Sequence, residues 1–180
     1  MIVSTHRTAA LPPIPAWRRA ILAALHVRVT YTDTALRLLG SPCILTCNHE
    51  SMIDGIAIAL AAPAPLVYAV TPDYAVRNRK TAALLAYLAR RGLGKVVPLN
   101  QANPAPLRHL LRALRSGQSV MIFPTGTIRA GAPELTGHRW LADRTGCDIV
   151  SASISGSGSS RLFGRKEGET FLRPRIDLTI

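Results

Sequence analysis

The protein has 180 residues and a mass of 19.4 kDa, which is the size of one domain and leaves no room for two complete ones. Hydrophobic residues make up 48% of the chain and charged residues 18%, and this balance excludes disorder of the whole chain. A formal net charge of +12 predicts attraction to anions, such as nucleic acid, an anionic membrane or an acidic partner.

The N-terminal part predicts an irregular arm followed by an amphipathic helix. Prolines exclude a helix over residues 1–15, and the remaining residues, 16–180, are expected to form the domain. Over residues 16–29, basic side chains alternate with apolar ones at helical spacing. A helix that carries Trp17 and Arg18 suits a membrane interface. The alternative is an ordinary surface helix packed on the core, and the sequence leaves both open.

From residue 43 onward, short apolar strands alternate with helices. This alternation predicts an α/β fold with a mostly parallel central sheet flanked by helices. Functional side chains collect at the carboxyl ends of the strands in such sheets. The serine- and glycine-rich residues 155–160 predict a mobile loop over one end of the sheet. The predicted strands are residues 43–47, 66–70, 96–99, 119–123, 148–154 and 175–180, and the predicted helices are residues 51–62, 79–90, 106–115 and 133–145.

The cysteines and the apolar segments bear on cofactors and location. Cys43, Cys47 and Cys147 cannot all pair within one chain and lack the spacing of a metal site, so we expect free thiols, no metal and a reducing compartment. No secretory signal is recognisable at the N-terminus. The longest apolar stretch, residues 52–70, contains Asp54 and two prolines, so it is not expected to span a membrane.

The first strand end with candidate chemistry is the sequence Asn-His-Glu-Ser that follows residue 47. Histidine is the side chain whose ordinary pKa suits proton transfer near neutral pH, so His49 is a candidate base, and the Asp54 carboxylate could fix its tautomer. By spacing alone, a capping box of Ser51 and Asp54 is the favoured alternative. Ser51 is expected to be an N-cap rather than a nucleophile, because no G-x-S-x-G elbow surrounds it. Glu50 is expected to be solvated.

The second strand end with candidate chemistry follows residue 123. Thr125, Gly126, Thr127 and Arg129 offer hydroxyls, backbone N–H groups and a guanidinium, which together suit a phosphate. The G-x-x-x-x-G-K-[ST] pattern of a P-loop is absent. The alternative is a simple glycine turn between a strand and a helix.

Residues 48–55 resemble the N-H-x-S-x-x-D-G block of the glycerolipid acyltransferase family, which contains 1-acylglycerol-3-phosphate acyltransferase. Residues 97–100, 123–127 and 149–156 fall where this family has its second, third and fourth blocks, and the likeness covers roughly residues 16–180. Between the blocks, the sequence most resembles the acyltransferase half of the bifunctional 2-acylglycerophosphoethanolamine acyltransferase/acyl-carrier-protein synthetase. The resemblance raises the His49 and Asp54 pair above its capping-box alternative.

The resemblance implies an O-acyltransferase that moves a fatty acyl group from an acyl thioester, on acyl carrier protein or coenzyme A, to a lysophospholipid hydroxyl. It implies His49 as the general base, Asp54 as the residue that orients it, and no bound cofactor. Together with the charge, it implies a cytoplasmic protein held on the anionic inner face of the membrane. The residues expected to contact substrate are Asn48, Ser51, Lys95, Thr125, Gly126, Thr127 and Arg129.

Several positions depart from the family pattern. Thr125 stands where the family has glutamate, the expected arginine is displaced to Arg129, and Ser151 replaces a proline. The charged residue usual near Asn100 is absent. These departures predict reduced activity, a different acceptor, or phosphate binding by Arg129 and Lys95.

Two alternatives come from other classes of protein. A degenerate acyltransferase fold that binds lipid or a membrane without turnover would fit the departures. A nucleic-acid binder would fit the charge, but with 5% aromatic residues the chain has few stacking platforms and carries no nucleic-acid-binding signature. Nucleic acid is therefore not expected as a partner.

Overall fold

The structure, a computed structural model, describes residues 13–70, 87, 89–98, 105–164 and 168–180. The predicted arm and the helix over residues 79–90 lie largely outside the described residues, although Tyr87, Ala89 and Arg90 are helical. The helices are α1 (Ala16–Ala24), α2 (Asp33–Gly40), α3 (Asp54–Ala61), α4 (Ala105–Arg115) and α5 (Gly137–Thr145), with a 3₁₀ turn at Ser157–Ser159. The strands are β1 (Val27–Thr30), β2 (Ile44–Cys47), β3 (Leu66–Val70), β4 (Gly94–Pro98), β5 (Ser119–Ile122), β6 (Ile149–Ser155) and β7 (Ile176–Thr179).

The described strands form one sheet in the order β1-β7-β6-β2-β5-β3-β4. The run from β6 to β4 is parallel throughout. Strand β7 is antiparallel to β6 and parallel to β1. The mostly parallel α/β sheet predicted from the sequence is therefore confirmed, and β2 lies near its centre.

The core consists of two apolar layers, one on each face of the sheet. Neighbouring residues of β2 point to opposite faces, so Leu45 belongs to the layer that includes α1 and α3. Ile44 belongs to the layer that includes α4 and α5. All four residues of β2 are buried, which explains why this strand lacks the regular alternation of apolar and polar residues that a half-exposed strand shows.

Helix α1 is shorter than the sequence predicts, because it ends at Ala24 and the chain then turns into β1. His26 occupies the left-handed region with a φ of 59°, and the β-branched residues of Val27–Thr30 favour a strand. The apolar face of α1 packs on the core, where Leu22 is buried. Its exposed face carries alanines and Arg19, so the geometry fits a surface helix packed on the core.

Helix α2 was not predicted from the sequence. Thr32 is its N-cap, and its hydroxyl accepts a hydrogen bond from the backbone N–H of Thr34 at 3.3 Å. Asp33 lies in the first turn and Arg37 in the last, where each charge opposes the helix dipole. These capping residues are the local signals that the apolar periodicity alone does not show.

The serine- and glycine-rich segment at residues 155–160 is ordered and partly buried, which corrects the prediction of a mobile loop. Residues 157–159 form the 3₁₀ turn, and Ser157 and Ser160 are buried. Gly156 has a φ of 83°, and a Cβ at this position would collide with the backbone carbonyl of Arg175. Glycine is therefore required where the two backbones approach.

Two predicted helices begin later than expected. Helix α3 starts at Asp54 rather than at residue 51, because the residues before it bond to the Asp54 side chain. Helix α5 starts at Gly137, since the backbone N–H of Leu135 donates to the carbonyl of Pro124 at 2.8 Å. The end of α5 agrees with the sequence, because Gly146 caps it in the left-handed conformation.

The three cysteines are free thiols. Burial raises the pKa of the Cys43 thiol and of the Cys47 thiol, so both favour the uncharged form. Within the described parts of the chain, no helix is long and apolar enough to cross a membrane.

Candidate active site

The candidate active site lies at the carboxyl end of β2, where the loop after Cys47 leads into α3. The Nδ1 atom of His49 lies 2.9 Å from Oδ2 of Asp54. The Asp54 side chain is fully buried, whereas 13% of the His49 side chain is exposed. A buried carboxylate thus faces one nitrogen of an imidazole that is itself partly exposed.

The Asp54 carboxylate accepts several hydrogen bonds from the loop that precedes it. Its Oδ2 atom accepts from the backbone N–H of Glu50 at 2.7 Å and of Ser51 at 2.8 Å. Its Oδ1 atom accepts from the Ser51 hydroxyl at 2.8 Å. The carboxylate therefore bonds to N–H groups of the loop before α3 and contacts His49 at the same time. The N-cap of α3 is Ile53, without a side-chain cap bond, so the prediction that Ser51 is the N-cap is wrong.

These donors determine the charge of Asp54. Burial pushes the pKa of its carboxyl upward, but the hydrogen bond and charge of His49, followed by the Ser157 hydroxyl and the Ser51 backbone, outweigh burial and leave it below its ordinary value. Asp54 is therefore an anion whose Oδ2 atom accepts a hydrogen bond from Nδ1–H of His49. In that tautomer Nε2 carries the lone pair of the ring, which is the arrangement that a general base requires.

Phe123 packs against the imidazole, and sequence reasoning did not include it among the site residues. The two rings stack with centroids 3.9 Å apart and an interplanar angle of 12°. A Cβ on Gly55 would lie 3.8 Å from the Phe123 ring, an ordinary van der Waals contact, so Gly55 packs beside this ring. The stacking restricts rotation of His49 about its side-chain bonds. Phe123 is the first residue of the third family block, and this position is the sequence signal that could have identified it.

The loop after Phe123 is a turn held by its own hydrogen bonds. The Thr125 hydroxyl donates to the Thr127 carbonyl at 2.8 Å, and the Thr127 hydroxyl accepts from the backbone N–H of Arg129 at 3.3 Å. Gly126 has a φ of 61°, as the glycine-turn alternative requires. The Arg129 residue is exposed, and Phe123 brings this loop beside His49.

The other predicted substrate residues have different surroundings. The Asn48 amide exchanges two hydrogen bonds with the backbone of Ile154, at 2.6 and 2.8 Å. It thus joins residues 48–53, the loop between β2 and α3 that we call the catalytic loop, to β6. Ser51 is fully buried and bonds to Asp54. Substrate contact by Asn48 and Ser51 stays a prediction, which these bonds do not favour. Asn100 lies outside the described residues.

Lys95 is not brought together with His49. It is the second residue of β4 and pairs with Val67, the second residue of β3. Lys95 also lines a groove at the amino ends of the parallel strands, whereas His49 follows the carboxyl end of β2. This placement corrects the prediction that Lys95 belongs to the same site.

Glu50 is partly buried, which corrects the prediction that it is solvated. Its carboxylate accepts from the backbone N–H of Gly158 at 3.3 Å. The backbone N–H of Met52 donates to the Phe163 carbonyl at 3.0 Å. The catalytic loop is thus fastened to the segment after β6.

A family profile described as Acyltransferase matches residues 26–155, which include His49, Asp54 and the loop after Phe123. The chain belongs to the acyltransferase family. Its fold is similar to that in the crystal structure of the 1-acyl-sn-glycerophosphate (LPA) acyltransferase PlsC from Thermotoga maritima, with a TM-score of 0.57 and 19% sequence identity. The likeness covers 90% of this chain and 68% of that one, and it supports the mostly parallel α/β fold.

The site of this acyltransferase has the parts of a general base. Asp54 contacts the imidazole at Nδ1, and Phe123 stacks on its face. Within the described residues, no group of three or more His, Cys, Asp and Glu side chains could hold a metal ion. The chemistry that the His49 and Asp54 side chains offer is proton transfer.

Proposed function

We propose that this acyltransferase transfers a fatty acyl group from an acyl thioester to the free hydroxyl of a lysophospholipid. The observation that carries the proposal is the pair of His49 and Asp54, joined by a 2.9 Å contact at the carboxyl end of the central strand. In a member of the acyltransferase family, a base held in this way suits deprotonation of an acceptor hydroxyl.

The reaction follows from this geometry. His49 Nε2 takes the proton of the acceptor hydroxyl while its oxygen attacks the thioester carbonyl, which becomes a tetrahedral oxyanion. Collapse of the oxyanion breaks the carbon–sulfur bond, and the leaving thiolate takes the proton back from Nε2. Asp54 stabilises the imidazolium between the two steps. Because a thioester is already an activated acyl group, we propose that the protein uses no bound cofactor.

Arg129 is the group that we propose for the acceptor phosphate. It is exposed in the loop that Phe123 connects to His49, and guanidinium groups bind phosphate through charge-assisted hydrogen bonds. Lys95 lies at the other end of the sheet, so Arg129 replaces it in this role. Thr125 and Thr127 shape the turn that presents Arg129.

Contact with an anionic membrane is also part of the proposal, together with a cytoplasmic location. The net charge of +12 supports it. So do the exposed apolar residues Leu162, Phe171 and Leu172, which lie beside the exposed Arg161 and Arg173. We call these five residues the apolar–basic patch. Apolar side chains flanked by arginines suit the interface of an anionic bilayer, where a lysophospholipid resides.

Acyl carrier protein and coenzyme A are both proposed as carriers of the acyl group. Resemblance of the sequence between the blocks to the acyltransferase half of the bifunctional 2-acylglycerophosphoethanolamine enzyme supports the carrier protein and an ethanolamine acceptor. Coenzyme A thioesters present the same reacting atoms, so the proposed step at His49 is the same for either.

The direct test is a mass-spectrometric acyl-transfer assay with the whole chain. It uses lysophospholipids that differ in head group, each offered with a palmitoyl thioester of acyl carrier protein or of coenzyme A. We expect a diacyl product for at least one acceptor, with stoichiometric release of the free thiol. Hydrolysis of the thioester without an acylated lipid, or no reaction with any pair, would contradict the proposal.

A lipid-binding module without turnover is the second candidate. Thr125 favours it, because threonine stands where the family has glutamate and its hydroxyl is engaged by Thr127. Binding of lysophospholipid by calorimetry, with no diacyl product in the same assay, would support this candidate.

A further inference from the structure

The 3₁₀ turn after β6 lies directly against the catalytic loop. Gly158 donates its backbone N–H to Glu50, and a Cβ on Gly158 would lie 3.4 Å from that of Glu50. Upstream, two hydrogen bonds tie Ile154 to the catalytic loop: its carbonyl accepts from the Asn48 amide N–H, and its backbone N–H donates to the Asn48 amide oxygen. The residue between these anchors, Ser157, is therefore held close to the start of α3.

Ser157 is a buried polar residue whose hydroxyl is not used by its own turn. Its exposed fraction is 0%, and its Oγ atom forms no hydrogen bond of regular geometry with another described residue. The group on which the hydroxyl does act is the Asp54 carboxyl, whose pKa it lowers. A buried hydroxyl needs a partner, and the carboxylate is an acceptor in the same buried space.

The Asp54 carboxylate has room for this donor. Its Oδ2 atom already faces His49 and the backbone N–H groups of Glu50 and Ser51. Its Oδ1 atom has the Ser51 hydroxyl as partner. A carboxylate offers about four lone-pair sites, two on each oxygen, so Oδ1 can accept a second hydrogen bond without displacing His49 from Oδ2.

We propose that Ser157 is a positioning residue of the catalytic pair, whose hydroxyl donates to the Asp54 carboxylate and holds it in the orientation that its bond to His49 needs. The inference rests on the proposed function, because it assigns Ser157 to the same proton transfer. It also gives a reason for the serine and glycine content of this segment. Glycines allow the close approaches at Gly156 and Gly158, and Ser157 is the residue between them.

The test compares Ser157→Ala with Ser159→Ala, which removes the same atom two residues away in the same turn. For Ser157→Ala we expect a roughly tenfold lower kcat, KM within about twofold, and an acid limb of the kcat/KM profile at higher pH. The shift follows because loss of a donor to the anion raises the pKa of Asp54, and the acid limb reports titration of the coupled pair. Ser159→Ala should keep the parent profile.

Two further measurements separate the possible failures. Ser157→Thr keeps the hydroxyl and should restore the parent pH profile in protein that is folded by circular dichroism. NMR titration of the ¹³C-labelled Asp54 carboxyl should move to higher pH in Ser157→Ala and not in Ser159→Ala. This readout needs no substrate, so it decides on Ser157 even if the acyl-transfer assay is negative.

Two results would overturn the proposal. One is a Ser157→Ala protein whose carboxyl titration and pH profile match those of the parent. The other is a loss of activity explained entirely by a smaller folded fraction.

Discussion

The buried carboxylate of Asp54 is stable as an anion because donors surround it. Backbone N–H groups of Glu50 and Ser51, the Ser51 hydroxyl and the Nδ1 group of His49 all point to it. The start of α3 adds the positive end of a helix dipole. The same residue thus serves both the folding of the loop and the orientation of the base, so its replacement should affect stability and catalysis together.

Asp54 makes stability depend on pH in the acid range. Its pKa in the folded protein is below the ordinary 3.8, so its contribution is complete above that value and is lost as pH falls through the folded pKa. We expect the parent to lose stability below pH 3.8 more steeply than Asp54→Asn, in urea unfolding followed by circular dichroism. Parallel curves for the two proteins would contradict the assignment. At neutral pH, Asp54→Asn should also lower kcat by about 10²–10⁴.

Thr125 is the residue at which the third block differs from its family. A glutamate at this place would restore a negative charge beside the exposed Arg129, at the cost of the Thr125 bond to the Thr127 carbonyl. If this protein is a weakened family member, Thr125→Glu should raise kcat/KM several-fold, while the uncharged Thr125→Gln should not. Both are measured by acyl transfer at several acceptor concentrations. If Thr125→Glu raised KM and Thr125→Gln did not, the result would show instead that the carboxylate competes for Arg129.

At the scale of elements, the turn after β6 is what fastens the site. Gly156 has a φ of 83° and would place a Cβ against the Arg175 backbone, whereas Gly117 has a φ of 82° and open space around it. Both substitutions to alanine incur backbone strain of about 1 kcal/mol or more. We expect Gly156→Ala to lower the free energy of unfolding by roughly a further 1–3 kcal/mol, as overpacking does. It should also lower activity.

Urea unfolding and acyl transfer, measured on both variants, check this prediction. Gly117→Ala is the matched control for the left-handed backbone. Equal losses of unfolding free energy in the two variants would show that the approach to Arg175 does not matter. Full activity in a destabilised Gly156→Ala protein would show that the turn does not support the site.

The elements that the sequence predicted well are those whose signal is local. The central strands are mostly apolar on both faces because both faces are buried, and His49 and Asp54 are only five residues apart. Strand β1 was assigned to a helix because its Arg28 falls between valines, a pattern that either element tolerates near an edge. Helix α2 was missed because its capping residues, and not its apolar spacing, mark its start.

The parts that could not be predicted depend on contacts between distant residues. The serine-rich segment after β6 is ordered because its Gly158 bonds to Glu50, 108 residues away, and because Asn48 holds the end of β6 through Ile154, 106 residues away. Phe123 reaches His49 because β5 lies beside β2 in the sheet. Lys95 was misjudged although it precedes the predicted strand at residues 96–99, which places it at the amino end of a parallel sheet and away from the carboxyl end where His49 lies.

At the scale of the whole molecule, the net charge of +12 and the apolar–basic patch are the features that support the proposed membrane contact. Helix α1 is a poor anchor because its apolar face is packed on the core. The apolar–basic patch instead exposes Leu162, Phe171 and Leu172. The chain from Ser159 to Arg161 is hydrogen-bonded to Phe171, so these residues lie on one part of the surface.

We expect the protein to sediment with vesicles that contain anionic lipid. Binding should weaken as the salt concentration rises, because salt screens the electrostatic attraction. Replacement of Leu162, Phe171 and Leu172 by serine should weaken vesicle binding about tenfold or more. The control is Leu39→Ser, an exposed leucine in the groove at the amino ends of the strands. Equal binding of the triple variant and the control would exclude the patch as the membrane contact.

The most direct measurement of the central claim is acyl transfer by His49→Ala. His109→Ala is the control, because His109 lies on α4, outside the candidate site. With both proteins folded by circular dichroism, His49→Ala should lose about 10²–10⁴ in kcat, because the proton acceptor is gone, while His109→Ala stays near the parent. Near-full turnover of the acceptor lysophospholipid by His49→Ala would contradict the account.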